Sequence, residues 1–481
     1  MIKHYQMYIN GEFSPSVSNR TFAVYNPATE QMIFEVPRAT IEDVKRAITA
    51  ADQAQPDWEQ LPAVERGRYL HLIADGIRAR AAEIAETISL EMGKTLSLAT
   101  VEVNFTADYL DYMAEWARRY EGEIIQSDRR NEHILLYKKA IGVVTGILPW
   151  NFPFFLIARK AGPALVTGNT IVIKPSEESP NNAALFADIV HKVGLPKGVF
   201  NLVTGFGDEI GEELSANEKV GMVSFTGSQL TGQKVMAAAS QNIIKVNLEL
   251  GGKAPAIVLA DADLDLAAEA IVNSRIINSG QVCNCAERVY VQRSVKAAFL
   301  AKLVEKMQAV SYGDPFANSA IDMGPLVNQK GLLKVKALVE NAVAEGGQIV
   351  LGGNVVDQTG YYFEPTIIDN ANNTMAIMRS EIFGPVIPIA TFDTLDEAIT
   401  LANDCEYGLT SSIYTQNLNL AMKLISRLKF GETYVNRENF EAMQGYHAGW
   451  RKSGIGGADG KHGLAEYLQT QVVYLQFGDE L

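Results

Sequence analysis

The sequence predicts an α/β protein in which helices cover both faces of parallel sheets. From residue 141 onward, continuous apolar runs rich in β-branched residues alternate with helical segments, a pattern typical of fully buried strands. The alternation starts a second time after residue 250. A chain of 481 residues is also too long for one hydrophobic core. We therefore expect two α/β domains.

Five apolar runs supply the strands of the first domain. The residues between them have helical periodicity, and Pro180 and Asn181 give one helix a start signal. The helical, Ala- and Glu-rich segment 41–116 is expected to pack on this sheet. Such a doubly wound sheet is the Rossmann-type architecture that binds dinucleotides, and we assign residues 1–120 and 139–248 to it. The predicted strands are 143–148, 170–173, 199–203, 222–225 and 243–246, and the helices 154–166 and 181–193.

The second domain is assigned to residues 249–450, and a third unit is a small β-sheet. Residues 121–138 read as a hairpin, and 465–481 contain a remote terminal strand. Strand edges of this kind are commonly completed by a partner subunit, so at least a dimer is expected. In the second domain we predict helices at 264–277, 295–309, 396–402 and 418–428, and strands at 288–292, 386–391 and 409–414.

Composition argues against several classes of function. A net charge of −14 without basic clusters disfavours binding to nucleic acid or to an anionic membrane. No apolar run reaches the roughly 20 residues of a membrane span, and residues 1–7 have no signal-peptide core. Three cysteines, an odd number, favour the reducing cytoplasm. The six histidines show no metal-ligand spacing, so no metal site is expected.

The segment 280–285 carries the strongest chemical signal, because it places Cys283 in a glycine-led polar turn between two elements. A cysteine used for packing usually lies in an apolar run. A nucleophile must instead be reached by its substrate. Taken alone, the segment leaves both interpretations open, and Cys285 lies only two residues away.

Polar or glycine-rich turns follow several predicted strands, where open α/β sheets bind ligands. Each turn has an ordinary structural alternative: a helix cap, a tight turn or a solvated loop. Glu249 lies between two leucines, and such an apolar setting is expected to raise its pKa and prepare it as a base. The candidate groups are Trp150 and Asn151; Lys174, Ser176 and Glu177; Gly207 and Gly211; Phe225, Gly227 and Ser228; Leu250; Glu381 and Phe383.

Six motifs occur here in the order found in the NAD(P)-dependent aldehyde dehydrogenases. They are Pro-Trp-Asn-Phe-Pro, Lys-Pro-Ser-Glu, Phe-Thr-Gly-Ser, Leu-Glu-Leu-Gly-Gly-Lys, Gly-Gln-x-Cys and Glu-x-Phe-Gly-Pro. The chain thus resembles that family from residue 25 to its final strand. The resemblance implies an aldehyde-dehydrogenase-like fold with an NAD-binding domain, a catalytic domain and an oligomerisation sheet. It also suggests a tetramer.

The resemblance assigns roles to the candidate residues. Cys283 would be the nucleophile and Cys285 a bystander, and Asn151 with the Cys283 amide would stabilise the oxyanion. Glu249 would activate water for release of the acid. The remaining candidates would bind the dinucleotide: Glu381 and Phe383 the nicotinamide riboside, Lys174 and Glu177 the adenosine ribose, and Ser228 the pyrophosphate. The Glu177 carboxylate would repel a 2′-phosphate, which favours NAD over NADP.

Four polar residues set this chain apart from the broad family. Arg159, Asn284, Glu441 and His447 occupy positions where relatives present substrate-tunnel residues. A polar pocket selects hydroxylated substrates, because its donors would be unpaired beside an alkyl chain. The set resembles the branch that oxidises small 2-hydroxyaldehydes such as lactaldehyde and glycolaldehyde. The alternatives are a semialdehyde dehydrogenase, a surface salt bridge for Arg159, and a non-catalytic protein on the same scaffold.

Overall fold

The computed structural model describes residues 3–478, and its side chains from residue 5 onward. The first two residues of the predicted segment 1–120 and the last three of 465–481 lie outside the described residues. None of the described helices has the length and hydropathy needed to cross a bilayer.

The described strands and helices are numbered along the chain. The strands are β1 (Lys3–His4), β2 (Met7–Ile9), β3 (Glu12–Ser14), β4 (Thr21–Tyr25), β5 (Met32–Pro37), β6 (Glu123–Gln126), β7 (Glu132–Ala140), β8 (Val143–Ile147), β9 (Thr170–Lys174), β10 (Phe200–Leu202), β11 (Val220–Gly227), β12 (Lys245–Leu250), β13 (Ala254–Val258), β14 (Ala286–Gln292), β15 (Gln348–Leu351), β16 (Thr366–Asp369), β17 (Val386–Phe392), β18 (Thr410–Tyr414), β19 (Glu432–Val435), β20 (Gly454–Ile455) and β21 (Leu468–Gln476). The helices are α1 (Ile41–Gln60), α2 (Ala63–Ala79), α3 (Ala81–Met92), α4 (Leu96–Ala114), α5 (Pro153–Val166), α6 (Asn181–Lys192), α7 (Gly207–Ala216), α8 (Gln229–Ala239), α9 (Leu264–Ile276), α10 (Lys296–Gln308), α11 (Gln329–Ala344), α12 (Ala376–Arg379), α13 (Leu395–Asn403), α14 (Leu418–Ile425) and α15 (Gly460–Ala465).

Two large sheets confirm the predicted α/β class. The first has the order β20-β12-β11-β8-β9-β10-β2-β3, and its five central strands are parallel. The second has the order β15-β16-β17-β14-β13-β18-β19 and is parallel except for β15. Only residues 251–253 separate β12 of the first sheet from β13 of the second. The carboxyl edge of one sheet therefore faces the amino edge of the other, and a crevice lies between them.

Helix α5 lies against this crevice and carries two cations into the protein interior. Pro153 occupies its first turn, where a proline costs no hydrogen bond. All 14 residues of the helix are buried, including Arg159 and Lys160. Buried charges require partners, so carboxylates and hydroxyls must lie near Arg159 and Lys160 at the edge of the crevice.

The predicted hairpin and terminal strand form one antiparallel sheet in the order β21-β7-β6. Several apolar side chains on it are exposed, among them Ile124 at 76% and Tyr474 at 68%. A further sheet, β1-β5-β4, was not predicted, because its strands are short and lack a continuous apolar run.

The strand predicted at 243–246 is wrong at its start. Ile243 is 93% exposed and has a left-handed backbone with φ of 56°, which turns the chain after α8. The strand instead begins at Lys245 and runs to Leu250. Its apolar run was misplaced by two residues, and the correction puts Glu249 inside a strand of the first sheet.

Candidate active site

A tightly turned loop presents Cys283 to the crevice. Asn278, Ser279 and Gly280 all have positive φ, at 49°, 57° and 76°. A side chain at Gly280 would meet the Gly384 carbonyl oxygen at 2.3 Å, so this close approach requires glycine. Cys283 is partly accessible, whereas Cys285 is fully buried. The loop thus distinguishes the two thiols by position.

Asn151 lies beside this loop and lines the same cavity as Cys283. Its Nδ2 donates to the Gln281 carbonyl at 3.0 Å, and an amide nitrogen carries a second hydrogen. The Asn151 carbonyl accepts from Lys94 at 2.8 Å and from Asn278 at 3.2 Å. The backbone of Asn151 is therefore held from two sides, and its amide is placed near the thiol.

Glu249 lines the cavity from strand β12 and is only 4% exposed. Burial raises its pKa, but the positive charges of Arg159 and Lys160 lower it by more than burial raises it. The net shift of the pKa is therefore downward. The expectation that an apolar setting raises this pKa is therefore wrong. The leucines on either side of Glu249 gave no sign of the cations that α5 places beside it. Arg159 Nη1 lies 4.0 Å from the Glu249 carboxylate. Glu249 is an ionised carboxylate in this arrangement.

The cavity has a polar end and an apolar wall. The four residues predicted to make the pocket polar all line this cavity, and α4 and α5 provide most of an apolar wall that was not predicted. The polar end is formed by Asn151, Arg159, Thr226, Glu249, Cys283, Asn284, Asn439, Glu441 and His447, and the apolar wall includes Leu98, Val101, Phe105, Phe152, Phe155, Leu156 and Phe440.

Arg159, Asn284 and Glu441 meet at the polar end. Asn284 donates its Nδ2 to Glu441, and Arg159 Nη2 lies 3.4 Å from the same carboxylate. Arg159 is 5% exposed and pairs with the buried Asp459, so the surface-salt-bridge interpretation is wrong. Asp459 was missed, since it lies 300 residues from Arg159 in a glycine-rich segment.

His447 is buried at the same end, and its Nδ1 lies 2.5 Å from Glu432 Oε1. Burial lowers the pKa of His447, but Glu432 more than compensates, and the pKa is well above its ordinary value. Glu432 was also missed, because a single Glu at the start of a strand gives no signal in sequence.

Most candidate dinucleotide-binding residues follow strands of the first sheet. Lys174 Nζ lies 3.2 Å from Glu177, and Ser176 lies between them along the chain. Phe225 and Gly227 end β11, and Leu250 ends β12. Ser228 caps α8 by accepting from the Thr231 amide. Gly207 and Gly211 lie within α7 rather than in a loop, and a side chain at either would meet no atom within 4 Å.

Glu381 and Phe383 reach the crevice from the second sheet. Glu381 Oε1 accepts from the Gly252 amide at 3.0 Å, and within residues 3–478 no hydrogen bond to Oε2 is seen. Burial raises the pKa of Glu381 to about 7. Phe383 has a left-handed φ of 56°, and its ring meets Trp150 edge-on at 5.5 Å. An unused carboxylate oxygen beside two aromatic rings suits a ribose hydroxyl next to a planar base.

Glu287 connects the loop that carries Cys283 to the loop of residues 381–384. Its Oε1 accepts from Arg275 Nη1 at 2.8 Å and from the Phe383 amide at 3.1 Å. Its Oε2 accepts from Lys253 Nζ and the Ile382 amide at 2.6 and 2.8 Å. Arg275 also donates to the carbonyls of Gly280, Ala286 and Gly384. The nucleophile loop and the 381–384 loop are therefore parts of one buried network.

No cluster of three or more His, Cys, Asp or Glu suited to a metal ion occurs in the described part of the chain. Cys283, Asn151 and Glu249 line one cavity, and Glu381 and Phe383 belong to the loop that Glu287 joins to the Cys283 loop. The arrangement offers a thiol, a neutral donor, a carboxylate and a ring-binding edge. These groups suit attack on a carbonyl beside a bound dinucleotide.

Comparison with known proteins agrees with this geometry. The chain is 63% identical to lactaldehyde dehydrogenase of Escherichia coli, over 98% of each chain. A crystal structure of that E. coli enzyme has a TM-score of 0.98, with coverage of 99% of this chain and 100% of that one. Betaine aldehyde dehydrogenase of Staphylococcus aureus, solved in complex with NAD+, is 35% identical with a TM-score of 0.96, covering 99% and 96%.

A third relative, the NADP(+) D-glyceraldehyde dehydrogenase of Thermoplasma acidophilum, is 40% identical over 98% of this chain and 96% of its own. The family model described as aldehyde dehydrogenase family matches residues 13–473. Fold, site geometry and sequence agree, and the chain belongs to the aldehyde dehydrogenase family.

Proposed function

We propose that this protein oxidises small 2-hydroxyaldehydes, such as lactaldehyde and glycolaldehyde, to carboxylic acids with NAD. The observation that carries the proposal is the polar array of Arg159, Asn284 and Glu441 at the end of the cavity that holds Cys283. The buried Oδ1 of Asn284 has no partner within residues 3–478, so it can accept a hydrogen bond from a substrate hydroxyl. His447 lies at the same end and is proposed to contact the substrate as well.

The chain's own residues supply the steps around hydride transfer. Cys283 Sγ attacks the aldehyde carbon, and the developing oxyanion accepts hydrogen bonds from the Asn151 side chain and the Cys283 amide. Glu381 and Phe383 would hold the nicotinamide end of a bound NAD, which would supply the acceptor for the hydride of the thiohemiacetal, and Cys283 would then carry the acyl group as a thioester. Glu249 then takes a proton from water as the water attacks the thioester, and the acid is released.

Glu249→Gln tests this division of roles. The amide keeps the size of the side chain but cannot accept the proton, so deacylation should slow. We expect a retained first burst of NADH with steady-state turnover at least about 100-fold lower. Loss of the burst together with turnover would contradict a role confined to deacylation.

The cofactor is proposed to be NAD, held by residues of both sheets. Lys174 and Glu177 would offer a donor and acceptors to the adenosine ribose, with Ser176 between them, and Ser228 at the start of α8 would bind the pyrophosphate. Trp150, Gly207, Gly211, Phe225, Gly227 and Leu250 complete the proposed dinucleotide surface. The Glu177 carboxylate disfavours a 2′-phosphate, so kcat/KM should be higher with NAD than with NADP. Glu177→Ala should reduce the ratio of kcat/KM with NAD to kcat/KM with NADP.

A substrate panel tests the hydroxyaldehyde preference. We expect kcat/KM for lactaldehyde and glycolaldehyde to exceed that for propanal and hexanal, and a preference for hexanal would contradict the proposal. Succinic semialdehyde belongs in the panel, because glutarate-semialdehyde dehydrogenases are 37% identical to this chain. Here three carboxylates, on Glu249, Glu441 and Asp459, lie within 4.0 Å of Arg159. They leave little positive charge for a substrate carboxylate.

Assembly and compartment are part of the same proposal. The exposed apolar residues of the β21-β7-β6 sheet support a homo-oligomer, a dimer or a tetramer built from dimers. Sedimentation of the purified protein measures this directly. Three free cysteines support the cytoplasm as its compartment.

A further inference from the structure

His447 and Glu432 form a buried pair beside the nucleophile, and contact with substrate does not explain the pairing. His447 is 2% exposed, and its Nδ1 lies 2.5 Å from Glu432 Oε1. The hydroxyl of Tyr434 donates to the other oxygen of Glu432. Neither Nδ1 nor Oε1 makes a hydrogen bond among residues 3–478, so the contact between them is an ion pair.

Two backbone hydrogen bonds hold the main chain of His447. The His447 amide donates to the Ala458 carbonyl at 3.0 Å, and its carbonyl accepts from the Ala458 amide at 2.8 Å. The ring reaches the cavity that Cys283 lines, and His447 lowers the pKa of that thiol. Because Nδ1 faces Glu432, Nε2 is the nitrogen left to meet sulfur. The imidazole thus lies between the Glu432 carboxylate and the cavity that Cys283 lines.

We propose that Cys283, His447 and Glu432 act as a nucleophile, a base and an orienting carboxylate, a role that rests on Cys283 being the nucleophile. The S–H bond of Cys283 breaks and an N–H bond forms on neutral His447, which gives a thiolate and an imidazolium with no change in net charge. Glu432 remains ionised and stabilises the imidazolium, and it acts as a positioning residue. Glu249 is left free for the later attack by water.

The surrounding charges are consistent with this transfer. Burial raises the pKa of the Cys283 thiol, Glu441 and Glu381 add to the rise, and His447 opposes it without reversing the net upward shift. Glu432 raises the pKa of His447, against the effects of burial and Arg159. His447 also lowers the pKa of Glu249, which lines the cavity, and of Asp459, which pairs with Arg159. An imidazolium is therefore favoured on His447.

The test is the pH dependence of Cys283 alkylation in the full-length protein without cofactor. Iodoacetamide reacts with the thiolate, and mass spectrometry identifies the labelled cysteine. His447→Gln should slow labelling of Cys283 at pH 7 on the order of tenfold and move the midpoint to higher pH. Glu432→Gln should act in the same direction, because it removes the charge that holds the imidazolium.

Glu441→Gln is the matched control, since it removes a charge that opposes thiolate formation in the same cavity. Its midpoint should move to lower pH. The proposal is overturned if His447→Gln and Glu432→Gln leave the alkylation profile unchanged, even if kcat/KM for hydroxyaldehydes falls. If His447→Gln does not fold, the Glu432→Gln profile decides alone. Full turnover in Cys283→Ala would instead reject the assignment of the nucleophile.

Discussion

Two buried charge networks flank the nucleophile loop, and they differ in whether their hydrogen bonds are complete. Beneath the loop, both oxygens of Glu287 are occupied by Lys253, Arg275 and two backbone amides. In the cavity, Asn284 keeps one buried oxygen without a partner among residues 3–478. A complete network determines shape, whereas an incomplete one has capacity left for a ligand. The first is structural, and the second is the network proposed to select the substrate.

Breaking the complete network should give the largest effect on stability. Glu287→Leu leaves Lys253 and Arg275 buried without their carboxylate, which costs about 3–5 kcal/mol. We expect a fall of several degrees in the midpoint of thermal unfolding. Glu441→Leu in the incomplete network is the control. Its carboxylate is partly exposed, with a side-chain exposure of 20%, so it should cost only about 1 kcal/mol.

Equal losses of stability in these two variants would contradict the distinction between the networks. A destabilised Glu287→Leu protein should also bind NAD more weakly, because Glu287 holds the backbone amides of Ile382 and Phe383. Glu441→Leu should keep its NAD affinity and lose activity on hydroxyaldehydes.

A substitution in the incomplete network should change substrate specificity more than the stability of the fold. Asn284→Val keeps a similar volume but removes both hydrogen-bonding groups. We expect kcat/KM for glycolaldehyde to fall about 30-fold relative to propanal, which corresponds to roughly 2 kcal/mol. Leu98→Ala, on the apolar wall, should not lower that ratio. An unchanged ratio in Asn284→Val would remove Asn284 from substrate recognition.

The sequence predicted the local features of this site and missed the distant ones. The parallel strands and the loop with Cys283 follow from short-range patterns, because apolar runs and turn residues act over a few positions. The strand near Ile243 failed for the same reason: its apolar run looked extended, yet the chain turns there.

The partners of the buried charges could not be predicted. Arg159 meets Asp459 300 residues later, and Glu249 is surrounded by cations from α5. Only the tertiary packing of α5 against β12 and the segment before α15 brings these residues together, and a single sequence does not show which charges meet. Leucines beside Glu249 therefore predicted an upward pKa shift where the folded protein has a downward one.

Glu381 is expected to give the smallest effect of these variants, because only one of its oxygens makes a hydrogen bond and its protonation changes near neutral pH. Burial raises its pKa to about 7, and one of its oxygens remains available for a ribose hydroxyl. The ionised form is the better acceptor, so NAD should bind more tightly as the pH rises through 7. The Kd for NAD is expected to be about tenfold higher at pH 6 than at pH 8. Glu381→Gln should remove this dependence, since an amide does not titrate, and binding measured by calorimetry separates it from the pH dependence of catalysis. A dependence that survived in Glu381→Gln would assign the titration to another group and leave Glu381 with a structural role, like that of Glu287.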